Sequence, residues 1–311
     1  MRLVADIGGT NTRLAMTENG TIVPQTLRSF ENDDWPHFYE MLATYLTNQS
    51  SPFPVDMVIA VAGPVKEGSV TLTNRNWRIN VDELVQLTMC DTVVLLNDLT
   101  ALGLSVRALG PNQFKEYCHR GERRLETGQS LIAGIGTGFN VSPVVLTTGA
   151  AQCLNVEAGH VSMPCSVSNM LCDYGCPTSG FSTVERLFSG RGFTTFCQLM
   201  CGDNRLTGID AIESYGDSSA RGATLAVDQY SALLGQMLRE LSFAYMPDSG
   251  IYLSGSVARA VMETAPSRCI EIFNLPCRFG SENGPNLYAI NDDGAALLGC
   301  AAFGERASVR V

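Results

Sequence analysis

Apolar and polar positions in this chain alternate between two periods, and that pattern outlines its elements. Arg2 to Ile7 reads as an apolar strand, broken by Gly8-Gly9-Thr10-Asn11 and resumed from Arg13 to Met16. Asn19-Gly20 signals a tight turn, so a β-meander is expected through about Leu27. Trp35 to Leu46 has helical spacing, and Val55 to Val61 is a buried strand stopped by Gly63-Pro64. Asn80-Val81-Asp82-Glu83 has the form of a capping box and predicts a helix to about Met89. Thr92 to Leu96 is again a strand, after which Asn97-Asp98 leads into an apolar helix to about Leu109. A second strand-rich stretch runs from Ser130 to Val156. Thr224 to Tyr245 is a long amphipathic helix with Val227, Tyr230, Leu234, Met237, Leu241 and Tyr245 on one face. Gly250 to Leu253 and Leu287 to Ile290 are strands, and each precedes a helix, the second ending near Phe303. Glu116 to Gln129 is the one polar, charge-rich stretch and reads as a surface excursion. Strands alternating with helices predict an α/β fold with largely buried sheets.

One internal similarity stands out. Leu3-Val4-Ala5-Asp6-Ile7-Gly8 and Leu131-Ile132-Ala133-Gly134-Ile135-Gly136 match at five of six positions, counting Val4 against Ile132, at an offset of 128 residues. Both run through a glycine and threonine turn into another apolar strand. Two copies of a strand–turn–strand unit suggest two related domains, although short apolar-glycine strings also recur by chance.

Composition narrows the chemistry. The chain has 311 residues, 45% hydrophobic and 17% charged, which allows a sizeable core and excludes a disordered segment. No run reaches the length of a membrane span, no signal-peptide pattern is seen, and a net charge of −10 disfavours non-specific nucleic-acid binding. The 11 cysteines read as reduced cytoplasmic thiols rather than a disulfide framework. Only Lys66 and Lys115 are lysines, and neither follows the glycine pattern of a Walker-type loop, so that way of holding phosphate is excluded. His37, His119 and His160 are the only histidines.

The sharpest string is Asp6-Ile7-Gly8-Gly9-Thr10-Asn11-Thr12-Arg13. Its glycines let backbone N–H groups approach a ligand as closely as a phosphate requires. Thr10 and Asn11 add short polar groups, Arg13 can add charge, and Asp6 places a carboxylate where a phosphate-bound Mg²⁺ would sit. Gly136-Thr137-Gly138 forms a second turn without an acid, suited to phosphate oxygens alone. Neither turn opens a helix, so neither is a dinucleotide fingerprint. Asp98 stands at a predicted helix start, where it can serve as a proton acceptor in phosphoryl transfer or as a plain N-cap. Glu157-Ala158-Gly159-His160 and Glu185 bring acceptors suited to vicinal hydroxyls. Cys165, Cys172 and Cys176 cluster after His160, but no C-x₂-C pair exists to favour zinc.

These motifs occur in a telling order. Asp6 to Asn11 is followed by Thr73-Asn74-Arg75-Asn76-Trp77, Leu96-Asn97-Asp98-Leu99-Thr100-Ala101, Gly136-Thr137-Gly138, Glu157 to His160, Glu185 to Gly190 and Leu253-Ser254-Gly255. The series resembles the bacterial glucokinases of the hexokinase–actin-like ATPase superfamily over essentially the whole chain. The resemblance implies two related ribonuclease H-like α/β domains flanking a cleft that closes on sugar. The small domain would be 1–108 with 292–311, and the large one 109–291.

By the same resemblance the activity is ATP-dependent phosphorylation of a hexose, most simply glucose. Asp98 is then the base, and Asn97, Asp98, Glu157, His160 and Glu185 hold the sugar. Gly8, Gly9, Thr10, Asn11, Gly136, Thr137 and Gly138 hold ATP, with Asp6 at Mg²⁺ and Gly255 on the adenosine side. A kinase of another hexose or an amino sugar, and a sugar sensor without turnover, remain alternatives. The resemblance also implies a cytoplasmic homodimer that acts on small molecules and contacts neither nucleic acid nor membrane. Two departures stand out: Phe139-Asn140 replaces a small apolar residue and glycine, placing a bulky ring where it could alter the pocket. The cysteine-rich stretch before Glu185 also lies where the family has helix.

Overall fold

The computed structural model describes residues 1–49, 53–72, 75–276 and 284–304. From the N-terminus the chain runs β1 (Arg2–Ile7), β2 (Asn11–Glu18), β3 (Thr21–Ile22), β4 (Arg28–Glu31), α1 (Phe38–Thr47), β5 (Asp56–Val61), β6 (Ser69–Thr71), β7 (Arg78–Asn80), α2 (Val81–Thr88), β8 (Thr92–Asn97) and α3 (Asp98–Ser105). It continues through β9 (Phe114–Cys118), β10 (Gly128–Ile135), β11 (Phe139–Thr147), β12 (Ala150–Cys153), α4 (Cys165–Asp173), α5 (Val184–Leu187), α6 (Gly190–Cys201), α7 (Gly208–Glu213) and α8 (Arg221–Tyr245). The last elements are β13 (Ile251–Ser254), α9 (Ser256–Thr264), α10 (Pro266–Phe273), β14 (Leu287–Ile290) and α11 (Ala295–Ala302). These elements form two compact units: Met1–Gln113 with Thr147–Leu154 and Asp292–Val311, and Phe114–Leu146 with Asn155–Asn291.

The first unit is built on a sheet of order β3-β2-β1-β5-β8, with β4 also paired to β2. Strand alternation sends Leu3, Ala5 and Ile7 into one core with Met57, Ile59 and Val61 of β5 and with Phe38, Met41, Leu42 and Tyr45 of α1. On α11, Gly299 lies so close to α3 that a Cβ there would meet the Ala101 carbonyl oxygen at 1.7 Å, so only glycine allows this helix contact. Asn80 caps α2, accepting from the N–H groups of Asp82 and Glu83 at 2.8 and 3.2 Å. The Cys153 thiol reaches the Thr100 carbonyl at 3.5 Å, fastening the β12 hairpin to α3.

In the second unit the order is β11-β10-β13-β14-β9. The long helix α8 opens one turn before the predicted Thr224 and buries Val227, Tyr230, Leu234, Met237 and Leu241 as its periodicity requires. One expectation fails here. Residues 114–118, partly assigned to a polar surface excursion, form strand β9, antiparallel to β14. Lys115 and Glu116 on it are exposed, so β9 is a charged edge strand whose polarity hid it from a reading based on hydrophobic runs.

The repeat noted in the sequence recurs in three dimensions. β1–β2 and β10–β11 are both antiparallel hairpins closed by the glycine turns. The first strand of each then pairs in parallel with the next one inward, β5 or β13, and a further parallel strand follows, β8 or β14.

Candidate active site

In the first unit, parallel pairing lays the carboxyl ends of three strands side by side, Ile7 beside Val61 and Val61 beside Asn97. Ligands in open α/β sheets bind at this end. Asp6 is the next-to-last residue of β1, and Asp98 opens α3 directly after β8. The Leu99 N–H donates to Asp98 Oδ1 at 2.9 Å and to Asn97 Oδ1 at 3.0 Å, so both side chains are fixed by the start of the helix. Asn97 Nδ2 donates to the Gly63 carbonyl at 3.2 Å. Burial raises the Asp98 carboxyl above the ordinary carboxylate range despite these bonds.

The Asp6 carboxyl is pushed up to about 7, first by burial and then by the charges of Asp98 and Asp293, with Arg13 opposing. Arg13 lies 3.9 Å from Asp6 and 3.5 Å from Asp293, so the guanidinium expected to serve phosphate is shared between two carboxylates. Around Asp6 the charges of Asp98 and Asp293 oppose that of Arg13, and a divalent cation beside Asp6 would offset them. Among the described residues no three His, Cys, Asp or Glu side chains converge as a self-sufficient metal cage. Mg²⁺ held mainly by phosphates and water needs only one or two carboxylates, so Asp6 fits the role.

The first glycine turn is closed by Gly8 N–H donating to the Asn11 carbonyl at 3.0 Å. Asn32, fully buried, holds it from behind. Its Nδ2 donates to Gly8 O at 2.9 Å, its backbone N–H to Thr10 O at 2.8 Å, and its Oδ1 accepts from Thr12 Oγ1 at 2.7 Å. Nothing in the sequence marks Asn32, which sits in an acidic run 24 residues from Gly8.

In the second unit four predicted segments meet. The second turn closes through Gly136 N–H to the Gly138 carbonyl at 3.0 Å, with Thr137 exposed at its tip. Gly255 has φ of +96°, and a Cβ on it would stand 2.4 Å from the Ile135 carbonyl oxygen, so α9 begins directly against this turn only because residue 255 is glycine. The Phe139 N–H donates to Glu185 Oε2 at 3.1 Å, tying the Glu185 carboxylate to the end of the turn. Gly159 packs against Phe139, its missing Cβ pointing at the Phe139 carbonyl, which places the exposed Glu157 and His160 beside Glu185.

The structure corrects the expectation for Phe139. Its ring is buried in the core, 6.2 Å from that of Phe188, and does not enter a pocket. Residue 139 alternates inward along β11, so its bulk is a packing matter. Asn140 has the outward role: Nδ2 donates to Val156 O at 2.7 Å and Oδ1 accepts from Ala158 N–H at 2.9 Å, bracing the loop that carries Glu157. The cysteine-rich segment contains helix α4, with Cys165 and Cys172 exposed and Cys176 buried. Thr73 and Asn74, which open the motif ending at Trp77, lie outside the described residues.

A family model described as Glucokinase matches residues 3–306. A glucokinase from Caulobacter sp. (strain K31) is 27% identical over 276 residues, covering 84% of this chain and 81% of its own. The crystal structure of a glucokinase from an Antarctic psychrotroph superposes with a TM-score of 0.82 at 25% identity, covering 97% of both chains. A ROK family glucokinase from Streptomyces griseus, solved with glucose and AMPPNP, shares the fold with a TM-score of 0.63 at 16% identity, covering 96% of this chain and 97% of that one. The fold class is thus the two-domain actin-like ATPase fold of these sugar kinases. With its family model matched from residue 3 to residue 306, the chain belongs to the glucokinase family.

Proposed function

We propose that the protein is an ATP-dependent glucokinase, with Asp98 as the base that accepts the proton of the sugar 6-hydroxyl. The carrying observation is Asp98 itself: a carboxylate at the carboxyl edge of a parallel sheet, fixed by the first turn of α3 and raised above its ordinary pKa by burial. Phosphoryl transfer runs through a largely dissociative transition state, so a positioned carboxylate suffices and a strong base is not needed. Asn97, Glu157, His160 and Glu185 hold the ring hydroxyls. The backbone N–H groups of Gly8 to Asn11 and Gly136 to Gly138 hold the phosphates, and Gly255 lies on the adenosine side. Mg²⁺, held at Asp6, supplies neutralisation of phosphate charge when bound. For the domain division we take 1–108 with 292–311 as the smaller part, to which the compact unit described above adds 109–113 and Thr147–Leu154.

The reading rests on glucose and AMPPNP in the Streptomyces griseus neighbour and on the glucokinase names of the relatives. Among the described residues no helix is long and apolar enough to cross a membrane. Reduced thiols and a supply of ATP suit a cytoplasmic enzyme, and light scattering in solution tests the homodimer expected of the family. A coupled ADP-release assay over a matrix of sugars and nucleotides tests the activity. Turnover centred on glucose and ATP is expected. A preference for mannose, fructose or an amino sugar would change the substrate, and sugar binding without turnover would replace the kinase with a sensor. Full kcat in Asp98→Ala would remove the proposed base.

A further inference from the structure

A phosphate-binding turn works only if its N–H groups face the ligand and its carbonyls face away. The first turn meets this requirement in an unusual way. Gly8 O and Thr10 O are both taken by Asn32, through its side-chain and backbone N–H groups respectively. The carbonyl between them, Gly9 O, is taken by Arg75, whose Nε donates at 3.1 Å. Among the described residues, the N–H groups of Gly9 and Thr10 make no hydrogen bond to protein, and both residues are exposed.

Arg75 is itself firmly held. Its Nη1 donates to the Asn32 carbonyl at 3.1 Å, its Nη2 pairs with Asp33, and its guanidinium carbon lies 5.2 Å from the centre of the Trp77 ring. Trp77 is buried, with its Nε1 donating to the Pro36 carbonyl at 2.9 Å. One guanidinium therefore joins the middle of the turn, the backbone of Asn32 that holds the turn's two ends, and a buried aromatic. The fork of donors on arginine allows this; a lysine ammonium is a point charge and lacks the planar fork.

We propose that Arg75 is a positioning residue for nucleotide phosphate. It pins the Gly9 carbonyl inward, so that the Gly9 and Thr10 N–H groups stay presented to the phosphates, and its positive charge lies behind that face. The inference rests on the reading of this turn as the ATP phosphate site. It goes beyond that reading by assigning the turn's shape to a side chain 66 residues away in sequence.

Arg75→Ala and Arg75→Lys test it. The measurements are KM for ATP and for glucose, kcat, thermal melting, and calorimetric binding of MgATP and of adenosine. In Arg75→Ala the KM for ATP and the Kd for MgATP are expected to rise about tenfold, the scale of one lost charge-assisted hydrogen bond. The KM for glucose, adenosine binding and the melting temperature should stay close to wild type. Arg75→Lys should fail to restore ATP affinity, since charge without the fork leaves the turn unpinned. Unchanged ATP affinity in Arg75→Ala overturns the proposal, as does an equal loss for both substrates with lowered melting, which marks a merely structural role. If Arg75→Ala does not fold, Arg75→Lys decides between the same outcomes. A wild-type protein that binds no nucleotide overturns both this proposal and the reading beneath it. One that binds MgATP but phosphorylates no sugar overturns the kinase assignment alone, and the calorimetric comparison still decides the role of Arg75.

Discussion

Asp6→Asn should make the ligand-free protein more stable at pH 8 than the wild type, although it removes a residue assigned to the site. The folded-state pKa of Asp6 is raised from 3.8 to about 7, with burial as the main cause and Asp98 next. Between these two values the folded chain keeps a proton that the unfolded chain has lost, so raising the pH weakens the fold. The contribution is fully present below about pH 4 and is lost as pH rises through about 7. A shift of about three units corresponds to a ceiling of roughly 4 kcal/mol, of which roughly 2–3 kcal/mol falls between pH 5 and pH 8. Asparagine keeps the shape and cannot ionise, so this dependence disappears, and Asp98 is relieved of a neighbouring charge as well. Urea unfolding at pH 5, 6, 7 and 8, with chelator present and no nucleotide, gives the two curves. The advantage of Asp6→Asn should be smallest at pH 5 and widen toward pH 8. Parallel curves, or a variant less stable than wild type at pH 8, would refute the reasoning, because Arg13 would then outweigh burial and repulsion together.

Gly299→Ala should fail to fold or lose about 3–5 kcal/mol, since its Cβ would lie 1.7 Å from the Ala101 carbonyl oxygen; chemical denaturation measures it. Gly255→Ala forces a side chain onto a backbone at φ +96° and 2.4 Å from the Ile135 carbonyl oxygen, so it should weaken ATP binding by calorimetry more than glucose binding. The kcat for glucose phosphorylation should rise with pH through the Asp98 pKa, above the ordinary carboxylate range, and flatten beyond it. A profile already flat from pH 4 upward would argue against a raised Asp98. Phe139→Leu should lower melting by the scale of a core truncation, about 1 kcal/mol, and leave both KM values near wild type, because the ring is core.

The parts of this molecule legible in its sequence are those written in local pattern. The amphipathic face of α8, the turn at Asn19-Gly20 with both residues at positive φ, and the two glycine hairpins are each set by neighbours in the chain. The strand before Asp98 predicts a helix start at that residue, and α3 begins there. What escaped depends on partners remote in sequence. Asn32 has meaning only because Gly8 and Thr12 come to lie around it. Arg13 reads as a phosphate ligand until Asp293 arrives from the far end of the chain. The place of the Phe139 ring is hidden because sequence gives strand alternation but not which face of β11 is core, and β9 is hidden because a charged edge has little apolar signature.

The contact between Gly299 on α11 and Ala101 on α3 has a consequence for how the chain is made. During synthesis α3 ends at residue 105, whereas α11 begins at 295, so 189 residues emerge between the two helices. At about 5–20 residues per second, α3 waits roughly 10 to 40 s for its cover. The second unit, whose sequence lies entirely within that interval, has all its strands synthesised before the first unit can close. The unit begun first is therefore the one finished last, and both α3 and the earlier β1, whose Ala5 carbonyl takes the Cys300 thiol, wait within reach of a chaperone for α11 to cover them.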